Sequence, residues 1–103
     1  MSRASASFDW DDGNRKKCEK HGVSVGEIEA LLSGTPRVAP DQKHSKAEGR
    51  FIAVGRNARR RPIFVSYTLR EKDGQLVIRP ISARYMHRKE IENYEAESPD
   101  FQN

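Results

Sequence analysis

The sequence lacks the features that mark secreted or membrane proteins. It contains one cysteine, Cys18, among 103 residues, so no intramolecular disulfide can form. No stretch approaches the roughly 20 apolar residues of a transmembrane helix, and residues 1–7 lack the apolar segment of a secretory signal. These absences predict a protein of the reducing cytoplasm that does not associate with membranes.

Hydrophobic residues are also scarce, at 35% of the chain, whereas charged residues reach 33%. An average globular protein has about 25% charged residues, so much of this surface must face solvent or a charged partner. The length suits one domain with a thin core. We therefore expect residues 1–103 to form a single domain, with mobile ends at 1–7 and 98–103.

Acidic residues are scarce in the middle of the chain. Residues 37–89 hold 14 basic and 4 acidic side chains, a net charge of +10, whereas residues 90–103 hold five acidic and no basic ones. A block of positive charge attracts polyanions, of which nucleic acid is the commonest in a cell. The pattern favours a nucleic-acid-binding surface, although a solvated arginine-rich surface has the same composition. The acidic end can screen this block or pair with it.

Hydrophobic periodicity predicts two short helices, a sheet and a final helix. Asp11 or Asp12 can cap a first helix that ends near Gly22, and Ser24 and Glu27 have the spacing of a capping box for the second. Apolar runs predict strands at 8–10, 37–39, 51–55, 63–70 and 76–82 and a last helix at 85–97. The order indicates an α+β domain whose antiparallel sheet has four to five strands.

Several short motifs, in this order, resemble the BrnT family over residues 8–95. They include Lys20-His21-Gly22-Val23-Ser24, Glu48-x-Arg50-Phe51 and Arg79-x-Ile81-Ser82-Ala83-Arg84. The resemblance implies a RelE-like fold and a toxin that arrests growth by cleaving RNA without a metal ion or other cofactor. It also implies a hetero-oligomer with a BrnA-like antitoxin of the ribbon-helix-helix type. Pro80 departs from the family pattern, and because it lacks a backbone donor we expect it at a sheet edge or a bulge.

Metal-independent cleavage of RNA needs proton transfer and stabilisation of negative charge on the phosphate. Arginine suits the phosphate because its planar fork donates two hydrogen bonds and stays charged. The family match favours Arg50, Arg79 and Arg84 as catalytic residues. His44, which can exchange protons near neutral pH, and Glu48, which can act as a general base beside Arg50, complete the predicted catalytic set. Each has a structural alternative: the arginines and Glu48 can form ion pairs, and a histidine in a loop can satisfy backbone groups. His21 precedes Gly22 at a helix end, where a cation favours the dipole, so its predicted role is structural.

A second set of residues is predicted to bind RNA without reacting with it. Arg59, Arg60 and Arg61 lie at a predicted hairpin tip, where they can contact phosphates, and Arg88 adds a further cation. Tyr67 can stack on a base, although an aromatic residue in an alternating strand can equally belong to the core. The alternative function is a noncatalytic nucleic-acid-binding or protein-interaction module with the same fold.

Overall fold

The computed structural model describes residues 7–41 and 49–97, so the predicted catalytic residues His44 and Glu48 lie outside the described part of the chain. Within these ranges the elements are, in chain order, α1 (Asp12–Glu19), α2 (Val25–Ser33), β1 (Arg37–Pro40), β2 (Arg50–Arg56), β3 (Pro62–Lys72), β4 (Gln75–Tyr85) and α3 (Arg88–Glu97). This order confirms the α+β fold, with two N-terminal helices, an antiparallel sheet and a C-terminal helix.

Both N-terminal helices begin at capping boxes. At α1, the Asp11 carboxylate accepts a hydrogen bond from the backbone N–H of Asn14, and the Asn14 side-chain oxygen accepts one from the backbone N–H of Asp11. Ser24 and Glu27 form the same reciprocal pair at α2. Each box satisfies two backbone donors that a helix start leaves without partners. Both helix starts predicted from the sequence are therefore confirmed.

The described strands form one antiparallel sheet in the order β1-β2-β3-β4. A tight turn joins β3 to β4, where Asp73 and Gly74 have φ of 51° and 80°, as Asp-Gly favours in two-residue hairpins. The strand expected at 8–10 does not form; this segment makes only one isolated bridge, between Phe8 and Ile78 of β4. The chain leaves the sheet edge there since Asp11 has to reach the start of α1.

Pro80 lies on the edge strand β4 and at a bulge, which confirms the expectation for a residue without a backbone N–H. The strand register shifts by one residue, so Ile81 has no partner on β3. The side-chain amide of Asn14 donates a 2.8 Å hydrogen bond to the Pro80 carbonyl. The bulge therefore ties α1 to the edge of the sheet.

Helices pack on both faces of the sheet. We call the face covered by α1 and α2 the core face; its buried cluster consists of Cys18, Val23, Ile28, Leu31, Ala53, Ile63, Val65 and Ala83. Successive residues of a strand point to opposite faces, and we call the other face the cleft face. Here α3 packs with Ile91 and Tyr94 on a smaller cluster around Val54 and Met86. Beside that cluster, part of the cleft face is open.

Candidate functional site

An open cleft of about 550 Å³ lies on the cleft face. Its floor is formed by side chains of three strands that face the same way: Ile52, Phe64, Ser66 and Ser82. The volume falls within the roughly 300–1,000 Å³ of sites that hold small organic ligands. The fold therefore offers room for a group of about the size of a nucleotide.

The strand register places two arginines on opposite sides of this floor. Ile52, Ser66 and Ser82 are direct cross-strand neighbours and form one row across the sheet. Arg50 comes two residues before Ile52 on β2, and Arg84 two residues after Ser82 on β4. At about 3.4 Å per residue, each arginine starts about 7 Å from the row along its strand. Two of the predicted catalytic residues, Arg50 and Arg84, thus line the same cleft.

Arg84 is held in a fixed orientation at the cleft. Its two terminal nitrogens donate to the two carboxylate oxygens of Glu90 at 2.8 Å each, and its guanidinium lies 4.5 Å from the centre of the Phe64 ring. The hydrogen bonds to Glu90 raise the pKa of Arg84, and in turn they lower the pKa of Glu90 to about 2. Because a bidentate pair fixes the plane of the guanidinium, Arg84 is an oriented cation at the edge of the cleft.

The end of α1 supplies a basic wall. Lys17, Lys20 and His21 line the cleft and are exposed to solvent. They can do so because α1 packs along β4, the edge strand of the sheet. Sequence reasoning assigned His21 to the helix end and gave the two lysines no role. Their spacing of i, i+3 and i+4, which places side chains on one helical face, was the signal that could have identified this wall.

The opposite wall is formed by Asp41, which follows β1, and by Arg50, the first residue of β2. Asp41 and Arg50 both line the cleft and are half-buried. The backbone N–H of Asp41 donates a 2.8 Å hydrogen bond to the Arg50 carbonyl, which holds Asp41 against the start of β2. Asp41 therefore adds a carboxylate to an otherwise cationic cleft.

A comparison with family models identifies what kind of protein carries this cleft. The model described as the ribonuclease toxin BrnT of a type II toxin-antitoxin system matches residues 10–90. The chain belongs to the BrnT family. Since a type II system pairs its toxin with a protein antitoxin, this BrnT-family toxin has an antitoxin as its partner. A comparison with curated proteins finds no match.

In this BrnT-family chain, Arg79 does not line the cleft. Its guanidinium forms ion pairs with Asp11 at 2.9 Å and with Asp9 at 3.3 Å. The hydrogen bond to Asp11 is the main reason why the pKa of Arg79 is raised. Since Asp11 is the cap of α1, Arg79 anchors the start of the helix whose end carries His21. This geometry supports a positioning role and gives no support to the predicted catalytic one.

The predicted RNA-binding turn at Arg59, Arg60 and Arg61 is also outside the cleft lining. The Asn57 side-chain oxygen accepts hydrogen bonds of 2.9 Å from the backbone N–H groups of Arg59 and Arg61. The guanidinium of Arg61 lies 3.7 Å from the centre of the Tyr85 ring. The turn is therefore a fixed structure that presents Arg59 and Arg60 to solvent, beyond the end of the cleft floor.

Tyr67 and Arg88 complete the predicted RNA-binding set, and neither lines the cleft. Tyr67 packs against the buried cluster of the core face and stacks on Phe51, with ring centroids 5.4 Å apart. Burial raises the pKa of its hydroxyl. Arg88 is the exposed first residue of α3. The cleft thus contains Arg50 and Arg84 from the predicted sets, together with the basic wall at the end of α1.

Other site chemistries find little support in the described residues of this BrnT-family chain. Within 7–41 and 49–97, no group of three or more His, Cys, Asp or Glu side chains is arranged to hold a metal ion. No helix in these ranges is long and apolar enough to cross a membrane. Burial raises the pKa of Cys18 to about 11, and its side chain is inaccessible, so it is not a nucleophile in the folded protein.

Proposed function

We propose that this chain is an endoribonuclease toxin that cleaves RNA in the cleft without a metal ion. The observation that carries the proposal is the convergence of four cations and an imidazole on one cleft, from Lys17, Lys20, His21, Arg50 and Arg84. Phosphate binding uses the cations, and proton transfer uses the imidazole. The description of the family as ribonuclease toxins supports this assignment.

The arginines would stabilise the negative charge that develops on the phosphate during cleavage. Arg84 is already oriented by Glu90, so no reorganisation is needed at the moment of reaction. A guanidinium has five N–H donors, and the pair with Glu90 leaves some of them for a phosphate oxygen. Arg50 lies on the other side of the floor row, where it can bind the same phosphate or its neighbour. Lys17 and Lys20 add attraction for the RNA backbone.

The chemistry itself requires two proton transfers. The ribose 2′-oxygen attacks the phosphorus and loses its proton to a base, while the bond from phosphorus to the 5′-oxygen breaks and that oxygen takes a proton from an acid. The products are a 2′,3′-cyclic phosphate and a 5′-hydroxyl. We assign one transfer to His21, since imidazole is the side chain best suited to proton exchange at neutral pH. Asp41 on the opposite wall is the candidate for the other, and the predictions for His44 and Glu48 stand beside it.

The antitoxin partner would act by covering this cleft in the cytoplasm. We propose a BrnA-like antitoxin of the ribbon-helix-helix type, as the sequence resemblance implies. The charge of residues 37–89, +10, favours an acidic or amphipathic inhibitory segment and a fast encounter at low ionic strength. An association rate that does not change with salt would contradict this mode of neutralisation.

The test of the catalytic proposal is cleavage of total RNA by the purified protein in the presence of EDTA. We expect cleavage that leaves 2′,3′-cyclic phosphate ends. Replacing His21 with Gln should lower the single-turnover rate by about 10²–10⁴-fold, the usual contribution of a general acid or base. His87→Gln is the matched control, because His87 is exposed and does not line the cleft, and its rate should equal that of the wild type.

Three results would overturn parts of this proposal. Cleavage that stops in EDTA and returns with magnesium would refute metal independence. Equal rates for His21→Gln and the wild type would remove His21 from the mechanism. RNA binding without cleavage would identify the chain as the noncatalytic nucleic-acid-binding module that the sequence also allows.

A further inference from the structure

The floor of the cleft carries two hydroxyl groups that the proposed chemistry does not use. Ser66 on β3 and Ser82 on β4 are direct cross-strand neighbours, so their Cβ atoms are about 5 Å apart. Both serines line the cleft, and within the described part of the chain neither hydroxyl has a hydrogen-bond partner. Ile52 continues the same row on β2. We call Ile52, Ser66 and Ser82 the serine shelf.

The serine shelf lies between the two arginines of the cleft. Arg50 flanks it on one side and Arg84 on the other, each two residues away along its strand. An RNA strand whose phosphates reach these arginines would place one nucleotide over the shelf. The neighbouring aromatic ring cannot take the base, because Phe64 is covered by Arg84 at 4.5 Å and contacts Tyr94 edge-on at 6.0 Å.

We propose that the serine shelf binds one unpaired base of the RNA. Ser66 and Ser82 would form hydrogen bonds with the edge of the base, and Ile52 would contact its ring. This inference rests on the proposed ribonuclease function and adds a substrate class, single-stranded RNA, and two specificity-determining residues. Two adjacent hydroxyls suit a base edge because each can both donate and accept a hydrogen bond.

The requirement for a single strand follows from the shape of the site. In a duplex, the base edges are paired and the rings are stacked, so neither can reach a floor of short side chains. Sequence-specific recognition of RNA is usually directed at unstacked bases in single strands, loops and bulges. The two serines have short side chains that would meet the edge of such a base, whereas the longer side chains of Arg50 and Arg84 would reach the RNA backbone on either side.

The experiment uses a pool of short single-stranded RNAs of random sequence, cleaved by the full chain in EDTA, with the cut ends identified by sequencing. The wild type should show a preference of about tenfold for particular bases at one position beside the cut, the size expected for hydrogen bonds to a base edge. Ser66→Ala and Ser82→Ala should each reduce this preference, and the double variant should reduce it to about twofold or less. Total cleavage should fall by less than about tenfold, since the serines bind and do not react.

Matched variants separate specificity from folding. Ser82→Thr keeps the hydroxyl and should retain the preference, and Ser33→Ala, at an exposed position at the end of α2, should leave it unchanged. Persistent cleavage with an unaltered base preference in the double variant would overturn the shelf while sparing the ribonuclease assignment. An unaltered preference together with weaker antitoxin binding would assign the shelf to the antitoxin. No cleavage by the wild type would refute the proposed function and the shelf with it.

Discussion

The side chain of Asn14 connects three parts of the structure that have to meet for the cleft to form. It accepts a hydrogen bond from the Asp11 backbone at 2.7 Å and donates to the carbonyls of Asp9 at 2.9 Å and of Pro80 at 2.8 Å. Asn14 itself is buried, with 5% of its surface exposed. Its replacement should therefore destabilise α1 and the basic wall that α1 carries.

The expected magnitude for Asn14→Ala follows from these contacts. Three hydrogen bonds at about 1 kcal/mol each, and about 1 kcal/mol or more for leaving the buried Pro80 carbonyl without a partner, amount to a loss of about 4 kcal/mol. For a domain of this size, the melting temperature should fall by about 15–25 °C. Urea unfolding followed by the fluorescence of Trp10 measures the loss directly. Asn93→Ala, at an exposed position on α3, is the control and should change stability by less than about 0.5 kcal/mol.

A second substitution distinguishes the hydrogen bonds of Asn14 from the helix dipole as the source of this stability. Asn14→Asp keeps the oxygen that completes the capping box but loses both amide donors and places a carboxylate against two carbonyl oxygens. The helix dipole alone predicts that an acidic residue in the first turn stabilises the helix. We predict instead that Asn14→Asp is at least as destabilising as Asn14→Ala. A stability equal to or above that of the wild type would refute the reasoning.

Three further predictions concern the ion pairs and the thiol. The pair with Arg84 lowers the pKa of Glu90 from 4.5 to about 2, so it stabilises the fold above pH 4.5 and this stabilisation is lost as the pH falls through about 2. Over that range, the free energy of unfolding of Glu90→Gln should decline less steeply with falling pH than that of the wild type. An equally steep decline would contradict the pairing. Buried Cys18, whose pKa is about 11, should react with iodoacetamide at pH 8 only in denaturant, and rapid labelling of the native protein would contradict its burial. Arg79→Lys should lower the melting temperature, because lysine cannot keep the contacts of the guanidinium with two carboxylates. The rate of single-turnover cleavage by the folded variant should stay within about threefold of the wild-type rate. A loss of rate as large as that of His21→Gln would show that Arg79 is catalytic.

The parts of the fold that depend on neighbouring residues could be predicted from the sequence. The capping box at Ser24 and the Asp73-Gly74 turn each follow from the chemistry of a few adjacent side chains. The position of Pro80 at an edge and a bulge follows from its missing N–H. The structure of residues 8–10 was harder to predict, because their alternating apolar and polar side chains fit a strand. The chain instead leaves the sheet there, since the adjacent Asp11 is the cap of α1.

The candidate site depended on contacts between distant residues, and here the sequence was a weaker guide. Arg79 lies 68 residues from its partner Asp11, so nothing local showed that an ion pair occupies its guanidinium. Tyr67 and Ser66 are adjacent, yet strand alternation directs one to the core face and the other to the cleft. His21 reaches the cleft only because α1 packs along β4, a tertiary arrangement that helix-end electrostatics do not reveal. That Arg50 and Arg84 line the same cleft follows from the register of β2, β3 and β4, which the sequence does not reveal.

Single-turnover cleavage by Arg84→Lys tests most directly the claim that the cleft is the ribonuclease active site. Lysine keeps the charge and loses the planar fork, so at saturating enzyme in EDTA we predict a rate about 10²–10³-fold below that of the wild type. Binding to a 2′-deoxy analogue of the RNA should change by less than about threefold, and Arg59→Lys, on the exposed turn outside the cleft, should cleave at the wild-type rate. An Arg84→Lys variant that cleaves as fast as the wild type would contradict the account.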